Sequence, residues 1–146
     1  GLTIQEHQMR TVLNLLELRA LTDRVHFIPV LQGQTLQDYF NHFEMFEVAG
    51  IDLRSERIVG VGSVCRREST HEIEHIMKCL KSKGLNLHGF GVKIGGSRYK
   101  QYLDSSDSMA WSYRARIEKA TCSIHSEGDC RNCINYALEW RMKVVA

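Results

Sequence analysis

No apolar run in the sequence approaches the roughly 20 residues needed to cross a bilayer. Nor does one sign of charge dominate: the formal net charge is +2, and the charged residues, 25% of the chain, mix both signs. Neither a basic tail for nonspecific nucleic-acid binding nor an acidic tail is present. No leader of charged, apolar and small residues opens the chain, so a cytoplasmic protein with no membrane partner is expected. Length is also short. The 146 residues suffice for one domain with a real core, whereas a complete (β/α)8 barrel needs about 250. Gly1 falls within what reads as a helix, so a fragment or truncated product is expected.

The five cysteines do not read as a disulfide set. Cys65 and Cys79 stand alone, while Cys122, Cys130 and Cys133 crowd around His125. An odd count with local clustering favours metal over cross-links.

Hydrophobic periodicity alternates between helix and strand. Residues 4–21 place Met9, Val12, Leu13, Leu16 and Leu21 at helical spacing. Residues 25–33 form an apolar run of strand length. Thr35 suits the N-cap of a helix over 36–49, with Phe40, Phe43 and Val48 on its apolar face and Gly50 as its stop. A second strand is expected over 57–67, then a helix opening at Ser69 or Thr70 and running to about Lys83, with Gly84 in the left-handed C-terminal position. Strands over 85–93 and 102–108 follow. The pattern then breaks until a final helix over 131–144.

This is the rhythm of a parallel α/β sheet covered on both faces. Each strand finishes in polar or glycine residues: Gln32-Gly33, Gly62-Ser63, His88-Gly89, Ser106-Asp107. Functional groups at the C-terminal ends of strands suit half of a TIM-type (β/α)8 barrel over residues 1–117, followed by a zinc-binding segment and helix over 118–146. An open doubly wound sheet shares the trait. Four strands cannot close a barrel of eight, so a missing N-terminal half or a second chain is expected to complete it.

Several groups could carry chemistry. Cys122-x2-His125-x4-Cys130-x2-Cys133 offers a Cys3His set for one structural zinc ion, with all four ligands committed. Scattered buried thiols and a redox Cys-x-x-Cys are the alternatives. Asp107, at a strand exit, could attack a sugar anomeric carbon and form a covalent glycosyl intermediate. Equally, Asp104 or Asp107 could simply cap a turn. Gly33 and Gly62 allow close approach of a flat ligand, or only a tight turn. Arg66 and Arg67 could meet phosphates, or be a solvated pair. His88 could polarise a ligand or accept a proton, or be a satisfied structural histidine.

In order, PVLQG (29–33), VGVGSVCRR (59–67), LHGFGVK (87–93), SSDSMAWSYRAR (105–116) and the cysteine cluster resemble the tRNA-guanine transglycosylase superfamily. The wording is most similar to the deazapurine-in-DNA protein A (DpdA) family, its DNA-directed relatives. The resemblance runs from about Val25 and covers the C-terminal half of the family's catalytic domain. It implies that Gln32 and Gly33 bind the heterocycle, with Gln34 in place of a second glycine. Gly62 falls where a backbone group reads the base, and Ser63 replaces a leucine there; His88 joins this base-binding set. The resemblance makes Asp107 the nucleophile. Cys130 and Cys133 match the last two cysteines of the zinc motif. The motif's first cysteine falls on Gly128, so Cys122 substitutes, and His125 is the fourth ligand because no histidine follows Cys133.

The implied reaction exchanges guanine in DNA for a 7-deazaguanine such as 7-cyano-7-deazaguanine, on a flipped or single-stranded base. The family's acid/base aspartate lies in its N-terminal half, so this chain alone is expected to be inactive. A tRNA-directed transglycosylase, a zinc-stapled nucleic-acid-binding module without catalysis, and an unrelated barrel glycosidase are the competing readings. SMAWS after Asp107, rather than the P-T-R wording of the tRNA enzymes, favours DNA.

Overall fold

A computed structural model of the chain describes residues 1–63, 70–92 and 98–145. The element order is α1 (Ile4–Leu21), β1 (Val30–Leu31), α2 (Leu36–Val48), β2 (Val59–Val61), α3 (Thr70–Ser82) and β3 (Leu87–Gly89). A 3-10 turn (Arg98–Tyr102), β4 (Ser105–Ser106), α4 (Ala110–Glu118) and α5 (Ile134–Val145) complete it. Among the described residues no helix is long and apolar enough to cross a membrane.

Local chemistry starts the first two helices. Thr3 and Glu6 form a reciprocal capping box at α1, and Thr35 and Asp38 form one at α2, as expected for Thr35. Gly50 and Gly84 follow α2 and α3 with φ of +80° and +83°, a region that favours glycine.

The four strands are parallel and lie in sequence order. Among the described residues there is no reversal of order, which a doubly wound sheet needs at its switch point. Leu31, Val59, Val61 and Leu87 are fully buried in one apolar core with Tyr39, Phe43 and Phe46 of α2 and Ile76, Met77 and Leu80 of α3. Val12 and Leu15 of α1 and Tyr99 of the 3-10 turn join the same core.

The paired residues, Val30–Leu31, Val59–Val61, Leu87–Gly89 and Ser105–Ser106, are fewer than the apolar runs contain, and residues 64–67 and 93 of those runs lie outside the described residues. Residues 110–118, where no element is expected, form α4. The apolar face of α1 is also displaced. Gln8, Val12 and Leu15 are buried, whereas Met9, Leu13, Leu16 and Leu21 are exposed. Two adjacent apolar stripes run along this helix. The buried one carries Gln8, whose amide donates to the carbonyls of Gln32 (2.7 Å) and Asp38 (2.9 Å). On α2, Phe43 is buried and Phe40 packs against the core, but Val48 is 90% exposed, with Phe46 taking the buried position.

Candidate active site and metal centre

Register assembles the strand-end residues. Val30, Gly60, His88 and Ser105 are successive partners across the sheet. Side chains alternate along a strand, so this row lies on the face opposite the helix-side core. The ladder continues one step past the strands through Gly62 N–H to Leu31 (2.9 Å), Phe90 N–H to Val61 (3.2 Å) and Asp107 N–H to Gly89 (3.4 Å). The next positions on that face are Gln32, Gly62, Phe90 and Asp107. Three of these are residues singled out from the sequence, and His88 lies one step below them.

Asp107 is held by its backbone neighbours. Its Oδ1 accepts the Gly91 N–H at 2.5 Å, and its Oδ2 lies 3.8 Å from His88 Nε2. His88 Nδ1 is 2.8 Å from Ser105 Oγ, which fixes the imidazole plane. The Asp107 side chain is 59% exposed and that of His88 is 19% exposed. A reachable carboxylate with one oxygen anchored and the other facing an imidazole can act as an oriented nucleophile. Asp104, by contrast, is structural. It lies below β4 and accepts the Leu87 N–H (2.7 Å) and Lys81 Nζ (2.6 Å). Partial burial opposes its charge, yet Lys81 and the Leu87 N–H hold the carboxyl below its usual value.

The loops at β1 and β2 are tied down from beneath. The Gln32 N–H donates to His42 Nδ1 at 3.0 Å while its carbonyl takes the Gln8 amide. Tyr39 Oη donates to the Gly62 carbonyl at 2.7 Å. His42 is fully buried, and burial pushes its pKa down to about 4. Its Nε2 has no hydrogen-bond partner among the described residues. Gln8, Tyr39 and His42 were not singled out from the sequence. Their signal was a polar group on the core-facing stripe of an amphipathic helix, which must find a partner.

Glycine serves different ends along this row. A Cβ at Gly33 would strike Asp38 and Tyr39, so that position is set by α2 packing. At Gly60 a Cβ would collide with the Phe90 ring. Around Gly62 the nearest atoms are at ordinary contact distance, 3.5 Å and beyond. Ser63 is exposed and has φ of +64°, a conformation that costs a non-glycine residue energy and recurs at functional sites. Arg66, Arg67 and Cys65 lie outside the described residues.

The second centre lies between α4 and α5. Turns bring its residues together: Cys130 N–H bonds to the Ala120 carbonyl (2.8 Å), His125 N–H to Cys122 (3.2 Å) and Cys133 N–H to Cys130 (3.0 Å). One donor atom from each of Cys122, His125, Cys130 and Cys133 lies within 4.8 Å of every other. His125 Nδ1 is 3.1 Å from Cys122 Sγ, 3.5 Å from Cys130 Sγ and 3.6 Å from Cys133 Sγ. Burial pushes the Cys130 thiol up, while the Tyr136 N–H at the start of α5 brings Cys133 down to about 7. These four residues could hold one metal ion. Trp111 and Trp140, neither singled out as a site residue, line one cavity with Asp107.

Neither the curated proteins nor the solved structures contain a match to the chain. The family model DpdA, DeoxyPurine in DNA protein A, matches residues 1–146. The chain therefore belongs to the DpdA family, a DNA-modifying family of transglycosylase type.

Proposed function

We propose that the chain is the nucleophile-bearing part of a 7-deazaguanine DNA transglycosylase. The observation that carries this reading is the common sheet face shared by Gln32, Gly62, His88 and Asp107, with Asp107 oriented by Gly91 and His88. A sequential parallel sheet with α1, α2 and α3 packed on one side suits part of a (β/α)8 barrel, whose reactive groups lie at the C-terminal strand ends. Residues 1–117 form that part, and sequence beyond the chain or a second chain closes the barrel. Residues 118–146 form the metal-stapled segment.

In the exchange, a carboxylate oxygen of Asp107 bonds to C1′ of a deoxyguanosine as the C1′–N9 bond breaks. The departing guanine takes up a proton. An incoming 7-deazaguanine, such as 7-cyano-7-deazaguanine, then loses its own N9 proton and bonds to C1′, returning the carboxylate. Gln32, Gly33, Gly62 and Ser63 bind the base. Gly91 and His88 keep the carboxylate aimed, and His88 also faces the base. Arg66 and Arg67 contact phosphate.

The metal is zinc and its role is structural. A tetrahedral zinc with bonds of about 2.3 Å to sulfur and 2.0 Å to nitrogen needs S···S edges of about 3.8 Å and S···N edges of about 3.5 Å. The Cys122–Cys133 separation of 3.8 Å and the separations of His125 from Cys130 and Cys133, 3.5 and 3.6 Å, agree with those edges, while that from Cys122, 3.1 Å, is shorter. All four protein donors are used, which leaves no open coordination position for catalysis.

The test supplies the barrel-completed protein with labelled guanine and either DNA or tRNA. Label should enter DNA, and Asp107→Asn should abolish incorporation. Label entering tRNA alone would sink the DNA assignment. The isolated chain should not turn over, and exchange by it would show that it needs no partner half.

A further inference from the structure

Both tryptophans of the chain, Trp111 and Trp140, line one cavity beside Asp107. It has a volume of about 290 Å³, and its wall includes Asp107, Ser108, Trp111, Leu138, Trp140 and Arg141. A second cleft of about 650 Å³ shares Asp107, Ser108 and Trp140, and adds Tyr113 and Arg114. The two clefts therefore meet at the Asp107 carboxylate and at one indole.

This is unlike the packing of core tryptophans. Both indoles are only half-buried, and Arg141 is exposed beside them. The wall is apolar through Val92, Ala137, Leu138 and Val144, and is polar at Ser106, Asp107 and Ser108. Trp140 and Arg141 sit on α5, whose start is fixed by the Cys/His centre. The Ala137 N–H bonds to the Cys133 carbonyl at 3.1 Å. Farther along, Glu139 accepts from Ser123 N–H at 2.9 Å and Ser123 Oγ at 2.5 Å. The metal centre thus holds one wall of the cleft in place.

We propose that this cleft is the subsite for the nucleobase next to the exchanged nucleotide in single-stranded DNA. That base stacks on Trp140 and Trp111, and Arg141 meets the adjoining phosphate. Stacking on aromatic faces tolerates any base, and a guanidinium beside it supplies the backbone contact. The subsite rests on the reading of Asp107 as the reaction centre: a sugar held there leaves its neighbour one nucleotide away, at the mouth of this cleft.

Because the cleft holds both tryptophans, their emission reports on it without a label. Titrating the chain with a short single-stranded oligodeoxynucleotide should give a saturable quench, and the matching duplex a much smaller one. Trp140→Leu should weaken binding roughly tenfold, whereas Trp140→Phe should retain most of it. Arg141→Gln should reduce the salt dependence of binding. Unchanged metal content in each variant shows that α5 is still in place. Unchanged emission throughout the titration would overturn the proposal. So would equal binding by a metal-retaining Trp140→Leu protein, or tighter binding of the same sequence as RNA. The exchange reaction fails or stands separately. A quench by DNA with no Asp107 adduct in the barrel-completed protein keeps the subsite and removes the chemistry; an adduct with no quench does the reverse.

Discussion

The Cys/His centre draws its four donors from residues 122 to 133 and needs only turns to bring them together. The strand-end row draws Gln32, Gly62, His88 and Asp107 from four strands and needs the register of the whole sheet. A local site of the first kind can form around an ion once its donors are free to bind. A site of the second kind exists only after the core has folded, so every change beneath it is felt at the carboxylate. The two regions should therefore respond differently to the same kinds of perturbation.

The largest expected effect separates chemistry from folding. Asp107→Asn should lower exchange by about 10³-fold or more while leaving thermal unfolding close to that of the parent, because the side chain is exposed and its bonds are few. Loss of stability in parallel with activity would mean that Asp107 is a turn-forming residue instead. Next comes Cys130→Ser. Metal analysis should fall from about one ion per chain to near none, with near-ultraviolet circular dichroism reporting loss of tryptophan order while the sheet's far-ultraviolet signal persists. Collapse of the sheet as well would show that the two regions are not separable.

Acid should act on the strand-end region through His42. Its pKa is lowered from an ordinary 6.5 to about 4 in the fold, so the unfolded chain binds the proton first. Its contribution is therefore complete above about pH 6.5 and is lost as the pH falls toward 4, by up to about 3 kcal/mol. Urea unfolding at a series of pH values checks this, and a flat profile across that window would contradict it. Gly60→Ala should cost about 1–3 kcal/mol, because the Phe90 ring must move. Asp104→Asn should cost less than about 1 kcal/mol, since its ion pair with Lys81 is partly solvated.

The two regions also differed in how much the sequence disclosed. The Cys/His set was legible because its ligand spacing is a local property, and the four residues do converge. The order of strands and helices was legible for a similar reason: caps such as Thr35 and stops such as Gly50 act on their own neighbours. Strand lengths were not. Apolar runs such as 25–33 record burial, and burial there reaches Pro29 and Gly33, beyond the paired Val30 and Leu31. The buried stripe of α1 was also hidden, because Met9 and Leu13 are as apolar as Val12 and Leu15. Only the distant carbonyls of Gln32 and Asp38 select the stripe that carries Gln8. The same applies to His42 under Gln32 and to the tryptophans beside Asp107, whose positions depend on elements far apart in the chain.

The most direct test of the account is a covalent trap. The barrel-completed protein, mixed with guanine-containing single-stranded DNA and denatured without added deazaguanine, should carry a DNA adduct on the peptide that contains Asp107. Mass spectrometry of that peptide should place the sugar on the Asp107 carboxylate, and Asp107→Asn should remove it. An adduct on another residue, or base exchange that proceeds undiminished in the Asp107→Asn protein, would contradict the assignment of Asp107 as nucleophile.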